Sequence, residues 1–137
     1  MSWVVLDASV VAAWVFPGQT TRASQRFLAG LDQHRLAAPY VFRWEVANMI
    51  MVKSAARDID PAVALEEIEA LEIAIAEPTP QQEVFGLTSF ATEAGLSLFD
   101  AAYLALAMEL AAGLASRDAR LIEAARIAGV DVFDLRD

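Results

Sequence analysis

Four acidic side chains lie in or beside apolar stretches, where an ionised carboxylate is costly unless something binds it. They are Asp7, after "WVVL"; Glu45, within "VFRWEVANMIMV"; Asp100, near the start of "FDAAYLALAM"; and Asp118, shortly after "GLAS". Carboxylates held close together repel each other and raise their pKa values, and a divalent cation removes that penalty. An all-oxygen site of this kind suits Mg²⁺ or Mn²⁺, and two such ions ~3.5–4 Å apart promote phosphodiester hydrolysis.

Each of these acids also has a purely structural interpretation. Asp7, Asp100 and Asp118 suit the N-termini of helices, where a carboxylate accepts backbone N–H bonds and favours the helix dipole. The spacing Ser97-x-x-Asp100 matches a capping box with aspartate in the acid position. Glu45 would instead be half of a buried ion pair with an arginine from another element. The residues alone leave both interpretations open.

Alternating apolar strands and helices predict a parallel sheet with helices on both faces. The 137 residues suit a single domain. Asp7 and Asp118 would then share the edge at the carboxyl ends of the strands, where ligands bind in such sheets. The predicted strands are 3–6, 35–39, 74–77, 113–116 and 130–135, and the predicted helices are 8–16, 20–34, 42–58, 61–74, 81–95, one from about 98, and 117–129.

The segment 42–58 is apolar nearly all round, which predicts an interior helix. Its polar exceptions are Glu45 and Asn48, which fall about 60° apart on a helical wheel. Asn48 would orient a substrate or Glu45, or only satisfy the backbone. Trp44, Met49 and Met51 are expected in the core or in a dimer interface, with a groove for a partner protein as a further alternative.

Composition limits the kinds of site that the chain can build. It has no cysteine, which excludes thiolate metal sites, and its single histidine, His34, is expected at the surface. No Lys or Arg precedes Arg22, which argues against a signal peptide, and Asp100 and Glu109 interrupt the longest apolar run, which argues against a membrane span. The sequence therefore predicts a soluble cytoplasmic protein whose metal ligands are oxygens.

Four segments, in order, resemble the motifs of the PIN-domain family, and specifically its VapC-type toxins. Each motif alone is weak, but their order and spacing together are specific. Two positions depart from the common pattern: Phe99 stands where tyrosine is frequent, and Ser116-Arg117-Asp118 replaces Thr-x-Asp. The matching segments are "VVLDASV" with Asp7 and Ser9, "RWEVANMI" with Glu45, "GLSLFDAAYLALA" with Asp100, and "LASRDARLIEAARIAGV" with Ser116 and Asp118.

The resemblance implies a three-layer α/β/α sandwich around a parallel sheet, with residues 1–137 as one PIN-like domain. It implies a Mg²⁺- or Mn²⁺-dependent endoribonuclease that is blocked by a small VapB-type antitoxin. Homodimers are common in the family, as are assemblies that bind operator DNA through the antitoxin. The implied catalytic residues and metal ligands are Asp7, Glu45, Asp100 and Asp118, with Ser9, Asn48 and Ser116 in supporting roles; Ser9 also suits a helix cap.

The net charge of −9 and pI of about 4.5 argue against tight non-specific binding of nucleic acid. Arg22, Arg26, Arg43 and Lys53 are candidates for a local basic rim, which would permit selective binding of a structured RNA. A non-catalytic PIN-like binding module is the alternative function. An aspartyl-phosphate phosphatase is disfavoured because position 9 is Ser rather than Asp, and the chain has no Gly-rich nucleotide loop.

Overall fold

The computed structural model describes residues 2–56, 59–77 and 83–137. These residues form five β-strands, seven α-helices and a short 3₁₀ helix at Leu31–Gln33. In chain order the elements are β1 (Ser2–Leu6), α1 (Ala8–Val15), α2 (Arg22–Ala29), β2 (His34–Pro39), α3 (Val41–Ala55), α4 (Pro61–Ala70), β3 (Ala74–Ala76), α5 (Leu87–Ala94), α6 (Leu98–Glu109), β4 (Gly113–Ser116), α7 (Ala119–Ile127) and β5 (Val132–Asp134).

The strands form one parallel sheet in the order β3-β2-β1-β4-β5. Alternate side chains of a strand point to opposite faces, and both faces of β1 are covered. Val5 belongs to the larger core cluster, which includes side chains of α3 and α6, whereas Val4 and Leu6 belong to a smaller cluster with Phe27 of α2. The predicted α/β/α sandwich is confirmed.

Local capping chemistry sets several helix ends. Thr21 and Ser24 form a reciprocal capping box at the start of α2. Asp60 caps α4 and Pro61 occupies its first turn, as the sequence predicts. Gly95 adopts a left-handed conformation (φ 68°) and ends α5 at the predicted residue.

Some predicted boundaries are wrong. The helix predicted at 61–74 ends at Ala70, because the chain reverses through Glu72 (φ 53°) to begin β3, which pairs with β2. The helix predicted at 81–95 begins only at Leu87, after a turn at 84–86. Positions 57–58 and 81–82, which end one predicted helix and begin another, lie outside the described residues.

Two burial predictions are also wrong. Helix α3 is one-sided: Phe42, Val46 and Ile50 face the core, whereas Trp44 and Met51 are 71% and 64% exposed. The predicted all-round burial fails because α3 lies on one face of the sheet, and only one of its sides meets the core. His34 is half-buried rather than a surface residue, since it begins β2 and stacks on Phe27 with ring centroids 5.4 Å apart. Met49 packs partly against the core.

The strand order brings two candidate site residues, Asp7 and Asp118, to the same edge of the sheet. From β1 the chain builds β2 and β3 on one side and then adds β4 and β5 on the other. The order therefore reverses between β1 and β4, and ligands of open α/β sheets bind at the carboxyl edge of such a switch point. Asp7 directly follows β1, and Asp118 follows β4 by two residues. No helix in the described ranges has the length and hydropathy needed to cross a membrane.

Candidate metal centre at the carboxyl edge of the sheet

Asp7 is buried, with only 4% of its surface exposed, and two serine hydroxyls hold it. Ser9 Oγ donates to Asp7 Oδ1 at 2.5 Å, and Ser116 Oγ donates to Asp7 Oδ2 at 2.6 Å. Asp7 occupies the N-cap position of α1, but its side chain forms no capping hydrogen bond. The capping interpretation is therefore wrong for Asp7, whose carboxylate is fixed between β1 and β4 instead.

The same serines organise the loop after β4. Arg117 N–H donates to Ser9 Oγ at 3.0 Å, and Asp118 N–H donates to Ser116 Oγ at 2.9 Å. Each hydroxyl thus accepts a backbone hydrogen bond from this loop while it donates to Asp7. This network links Asp7, Ser9, Ser116 and Asp118, which the sequence analysis had selected separately.

Asp118 and Asp100 differ in how they relate to their helices. Asp118 caps α7, since its Oδ1 accepts from Leu121 N–H at 3.0 Å, so the capping interpretation is confirmed for this residue. Asp100 lies in the first turn of α6, where Ser97 Oγ accepts from its backbone N–H at 3.1 Å. The Asp100 carboxyl also has a side-chain hydrogen bond with Ser97, whereas no described residue donates a hydrogen bond to Asp118 Oδ2.

Glu45 meets a partner that the sequence analysis missed. The buried Tyr103 of α6 donates its hydroxyl to Glu45 Oε1 at 2.7 Å, which ties α3 to α6. Burial, followed by this hydrogen bond and the Glu45 charge, strongly raises the pKa of Tyr103, so the phenol stays protonated and donates. The sequence did contain a signal for Tyr103. This residue lies one helical turn after Asp100 on a largely buried helix, and a buried phenol needs a hydrogen-bond partner.

The pKa shifts indicate that the carboxylates interact. Burial raises the pKa of Asp7 to about 6; the hydrogen bonds from Ser116 and Ser9 oppose this, and the charge of Asp100 adds to it. Partial burial likewise raises the pKa of Asp100, with further contributions from the charges of Asp118 and Glu45. Asp100 therefore interacts electrostatically with the other three acids. We call Asp7, Glu45, Asp100 and Asp118 the acidic site.

Within the described part of the chain, no basic side chain forms an ion pair with the acidic site. Across 2–56, 59–77 and 83–137, none of its four carboxylates forms an ion pair, so the predicted alternative of a buried Glu45–arginine pair is wrong. Arg43 lines a cavity between α3 and α4 with Glu69 and Glu72. Sequence analysis missed Arg117, whose Nη1 makes two long contacts (3.4 Å), to Ser9 O and to Gln19 Oε1.

Asn48 is the predicted supporting residue that the structure does not bring into this network. It lies one turn after Glu45 on α3, its side chain is exposed, and it hydrogen-bonds to no described residue. The geometry thus gives Asn48 no contact through which to orient Glu45.

The donor chemistry of the acidic site fits a hard divalent cation, although the ligands are not gathered around one point. All four groups are carboxylates, the buried one carries a raised pKa, and no cation compensates them within the described chain. In the described ranges, however, no three acidic or histidine side chains already form a group able to hold a metal ion. Binding would therefore require the less constrained carboxylates, above all Asp100, to turn towards the fixed Asp7.

Several solved structures have a similar fold. PAE2754 from Pyrobaculum aerophilum has a TM-score of 0.69 and 20% identity, over 96% of this chain and 84% of that chain. FitAcB from Neisseria gonorrhoeae has a TM-score of 0.66 and 21% identity, over 97% and 98%. VapBC2 from Rickettsia felis, bound to a DNA fragment from their promoter, has a TM-score of 0.65 and 10% identity, over 95% and 96%.

Sequence comparison gives two results. No curated protein matches the chain. The family model of the PIN domain matches residues 4–127. That span contains all four residues of the acidic site, both serines that hold Asp7, strands β2, β3 and β4, and residues 4–6 of β1. The chain belongs to the PIN domain family.

Proposed function

We propose that this protein is a Mg²⁺- or Mn²⁺-dependent endoribonuclease, the toxin of a VapBC-type toxin–antitoxin pair. PIN domains are generally nucleases and typically use divalent metals. The observation that carries the proposal is the acidic site itself, in which four carboxylates interact at one sheet edge and form no ion pair with any residue that the structure describes. A purely structural role would not require the charges of Asp118 and Glu45 to add to the burial that raises the pKa of Asp100.

The carboxylate oxygens left free by hydrogen bonding support metal ligation by Asp7, Glu45, Asp100 and Asp118. Glu45 Oε2 and Asp118 Oδ2 accept no hydrogen bond from a described residue, and the Asp100 carboxyl has one side-chain hydrogen bond, with Ser97. Each Asp7 oxygen accepts only one, which leaves a second lone pair available. A divalent cation bound there supplies Lewis acidity, which polarises a phosphate oxygen and acidifies a bound water.

Other residues of the chain position the carboxylates or contact the substrate in this proposal. Ser9 and Ser116 hold Asp7 in one orientation and so act as positioning residues. Tyr103 does the same for Glu45 from α6, which also fixes α3 relative to α6. Asn48, exposed beside Glu45, is a candidate for contact with the substrate rather than with the site. RNA would be hydrolysed at a phosphodiester bond held over this edge of the sheet.

The proposed partners follow from the structural neighbours. VapBC2 is solved with promoter DNA, and a FitAB structure is bound to an IR36 DNA fragment. We propose that this chain likewise pairs with a VapB-type antitoxin that blocks the acidic site, and reaches operator DNA only through it. A homodimer and a cytoplasmic location complete the proposal.

Digestion of a mixture of total tRNA and rRNA tests this proposal. Protein freed of antitoxin is expected to cut RNA at few sites in Mg²⁺ or Mn²⁺ and not in EDTA, because the free carboxylates need the cation to act. Gel analysis with mapping of the cut ends measures both the activity and its selectivity. Glu123→Gln, which changes an exposed acid of α7 outside the acidic site, is the control and should cut like the wild type.

The same digestion distinguishes the nuclease from the alternative function, a non-catalytic PIN-like module. A folded wild-type protein that cuts nothing in either metal, and that binds no divalent ion, would contradict the nuclease proposal. The chain would then be a non-catalytic PIN-like module, in which the acids serve only as helix caps and hydrogen-bond acceptors.

A further inference from the structure

We propose that an apolar cavity beside the acidic site binds one unstacked nucleobase of the RNA substrate, next to the phosphate that is cut. This inference rests on the proposed nuclease function and adds the substrate class, an RNA with an unpaired base. The cavity measures about 260 Å³ and lies between the N-terminal ends of α3, α5 and α6. We call it the aromatic cavity; its main walls are Tyr40, Trp44, Val84, Leu98 and Phe99.

The aromatic cavity adjoins the acidic site along the chain. Trp44 precedes Glu45, Phe99 precedes Asp100, and the lining residue Ala102 precedes Tyr103. The Tyr103–Glu45 hydrogen bond (2.7 Å) joins α3 and α6, the two helices that supply Trp44 and Phe99 to the cavity and Glu45 and Asp100 to the acidic site. A nucleotide whose phosphate lies at Asp100 would have its base, or that of its neighbour, within reach of these rings.

The ring faces in this cavity are unoccupied. Trp44, Phe99 and Tyr40 are 71%, 56% and 45% exposed, and none of them stacks on another aromatic residue of the described chain. By contrast, Trp14, Phe27, His34 and Phe133 form a cluster of ring contacts near the start of β2, in which Phe27 stacks on Trp14 and His34. Exposed rings that the fold does not use for packing are available to stack on a ligand.

Charge favours a base as the occupant. The chain carries a net charge of −9, so it gains little from the phosphate contacts that usually dominate RNA affinity. Stacking on aromatic side chains does not depend on charge and operates on every base, because every base has a π-face. The cavity is lined by no Asp, Glu, Lys or Arg, and it is smaller than the pockets that hold drug-sized ligands. A single flat ring fits this description.

Two substitutions of Trp44 test the proposal, because they keep its apolar character but differ in the π-face. A short single-stranded oligoribonucleotide that spans a cut mapped in the total-RNA digestion is the probe. Its KM and kcat are measured with wild-type protein, Trp44→Phe, Trp44→Leu and the control Met51→Leu, an exposed residue of α3 outside the cavity. The measurements are repeated for each protein with two further oligonucleotides, one with an abasic site before the cut and one with an abasic site after it.

We expect Trp44→Leu to raise KM about tenfold, with kcat nearly unchanged, and Trp44→Phe to raise it less than threefold, since one base–aromatic stack has an effect of this order. The Trp44→Leu effect should disappear with one of the two abasic oligonucleotides, and Met51→Leu should match the wild type. Equal KM values for Trp44→Leu and Trp44→Phe on intact RNA would overturn the base subsite.

A loss of antitoxin binding or of a dimer in Trp44→Leu, with RNA kinetics unchanged, would also overturn it and assign the cavity to a protein partner. Light scattering and antitoxin titration measure this outcome. A wild-type protein that neither cuts nor binds RNA would refute the nuclease function as well. Cleavage that persists without any Trp44 effect refutes the base subsite alone.

Discussion

Replacing Asp100 or Asp118 by asparagine is expected to lower kcat for RNA cleavage about a thousandfold or more. A bound cation supplies several kcal/mol of transition-state stabilisation, and 1.36 kcal/mol corresponds to a tenfold change in rate. Asparagine retains the shape of the side chain and caps helices as well as aspartate does, so Asp118→Asn should keep the bond to Leu121 N–H and the stability of α7. The loss would therefore report ligation rather than folding.

Glu123→Gln is the matched control for Asp118→Asn. Glu123 is an exposed acid of the same helix, and its substitution should leave kcat within a factor of two. Ser116→Ala should be intermediate, about 10–100-fold, because the serine acts through Asp7. Single-turnover cleavage in saturating Mn²⁺ measures all of these rates. Full activity in Asp100→Asn would contradict its place in the acidic site.

Asp7→Asn is expected to make the metal-free protein more stable at pH 7.5, by about 1–3 kcal/mol, while it abolishes cleavage. Burial raises the pKa of Asp7 from 3.8 to about 6, so the folded protein binds more protons than the unfolded chain between these values. The stability of the wild type therefore falls as the pH rises through this window, and above pH 6 the folded state bears the full cost of the buried anion. The upper limit of about 3 kcal/mol follows from 1.36 kcal/mol per pKa unit.

Urea denaturation in EDTA at pH 4 and pH 7.5 measures this effect. At pH 4 most of the cost is absent, and the stability difference between wild type and Asp7→Asn should nearly vanish. Added Mg²⁺ should stabilise the wild type at pH 7.5 more than the variant, because only the wild type offers the complete ligand set. A variant less stable than the wild type at both pH values would mean that the hydrogen bonds of Asp7 outweigh its burial.

The proximity of Asp7 and Asp118 could be predicted from the sequence, because it follows from the topology of the sheet. The apolar runs that end at Asp7 and near Asp118 predicted two parallel strands, and the carboxyl ends of parallel strands share one edge. The structure places β1 beside β4 and joins the two loops through Ser9 and Ser116. The order of the strands was not predictable from hydropathy, and neither was the direction in which the Asp7 carboxylate points.

The features that sequence reasoning missed depend on contacts between distant elements. The Tyr103–Glu45 bond spans 58 positions and needs the packing of α6 against α3 to be known. The exposure of Trp44 follows from α3 covering only one face of the sheet, whereas its apolar composition alone predicted an interior helix. His34 was wrongly predicted to lie at the surface, because the polar residues around it in the sequence do not indicate that it begins a strand beside Phe27.

Calorimetric titration of metal-free protein with Mn²⁺ at pH 7.5 tests the central claim most directly, which is that the four carboxylates form one divalent-metal site. Wild type and Glu123→Gln are expected to bind Mn²⁺ alike, and Asp7→Asn, Glu45→Gln, Asp100→Asn and Asp118→Asn should each bind at least about tenfold more weakly. Circular dichroism establishes that each variant is folded. Wild-type protein that binds no Mn²⁺, or site variants that bind it as tightly as the wild type, would contradict the account.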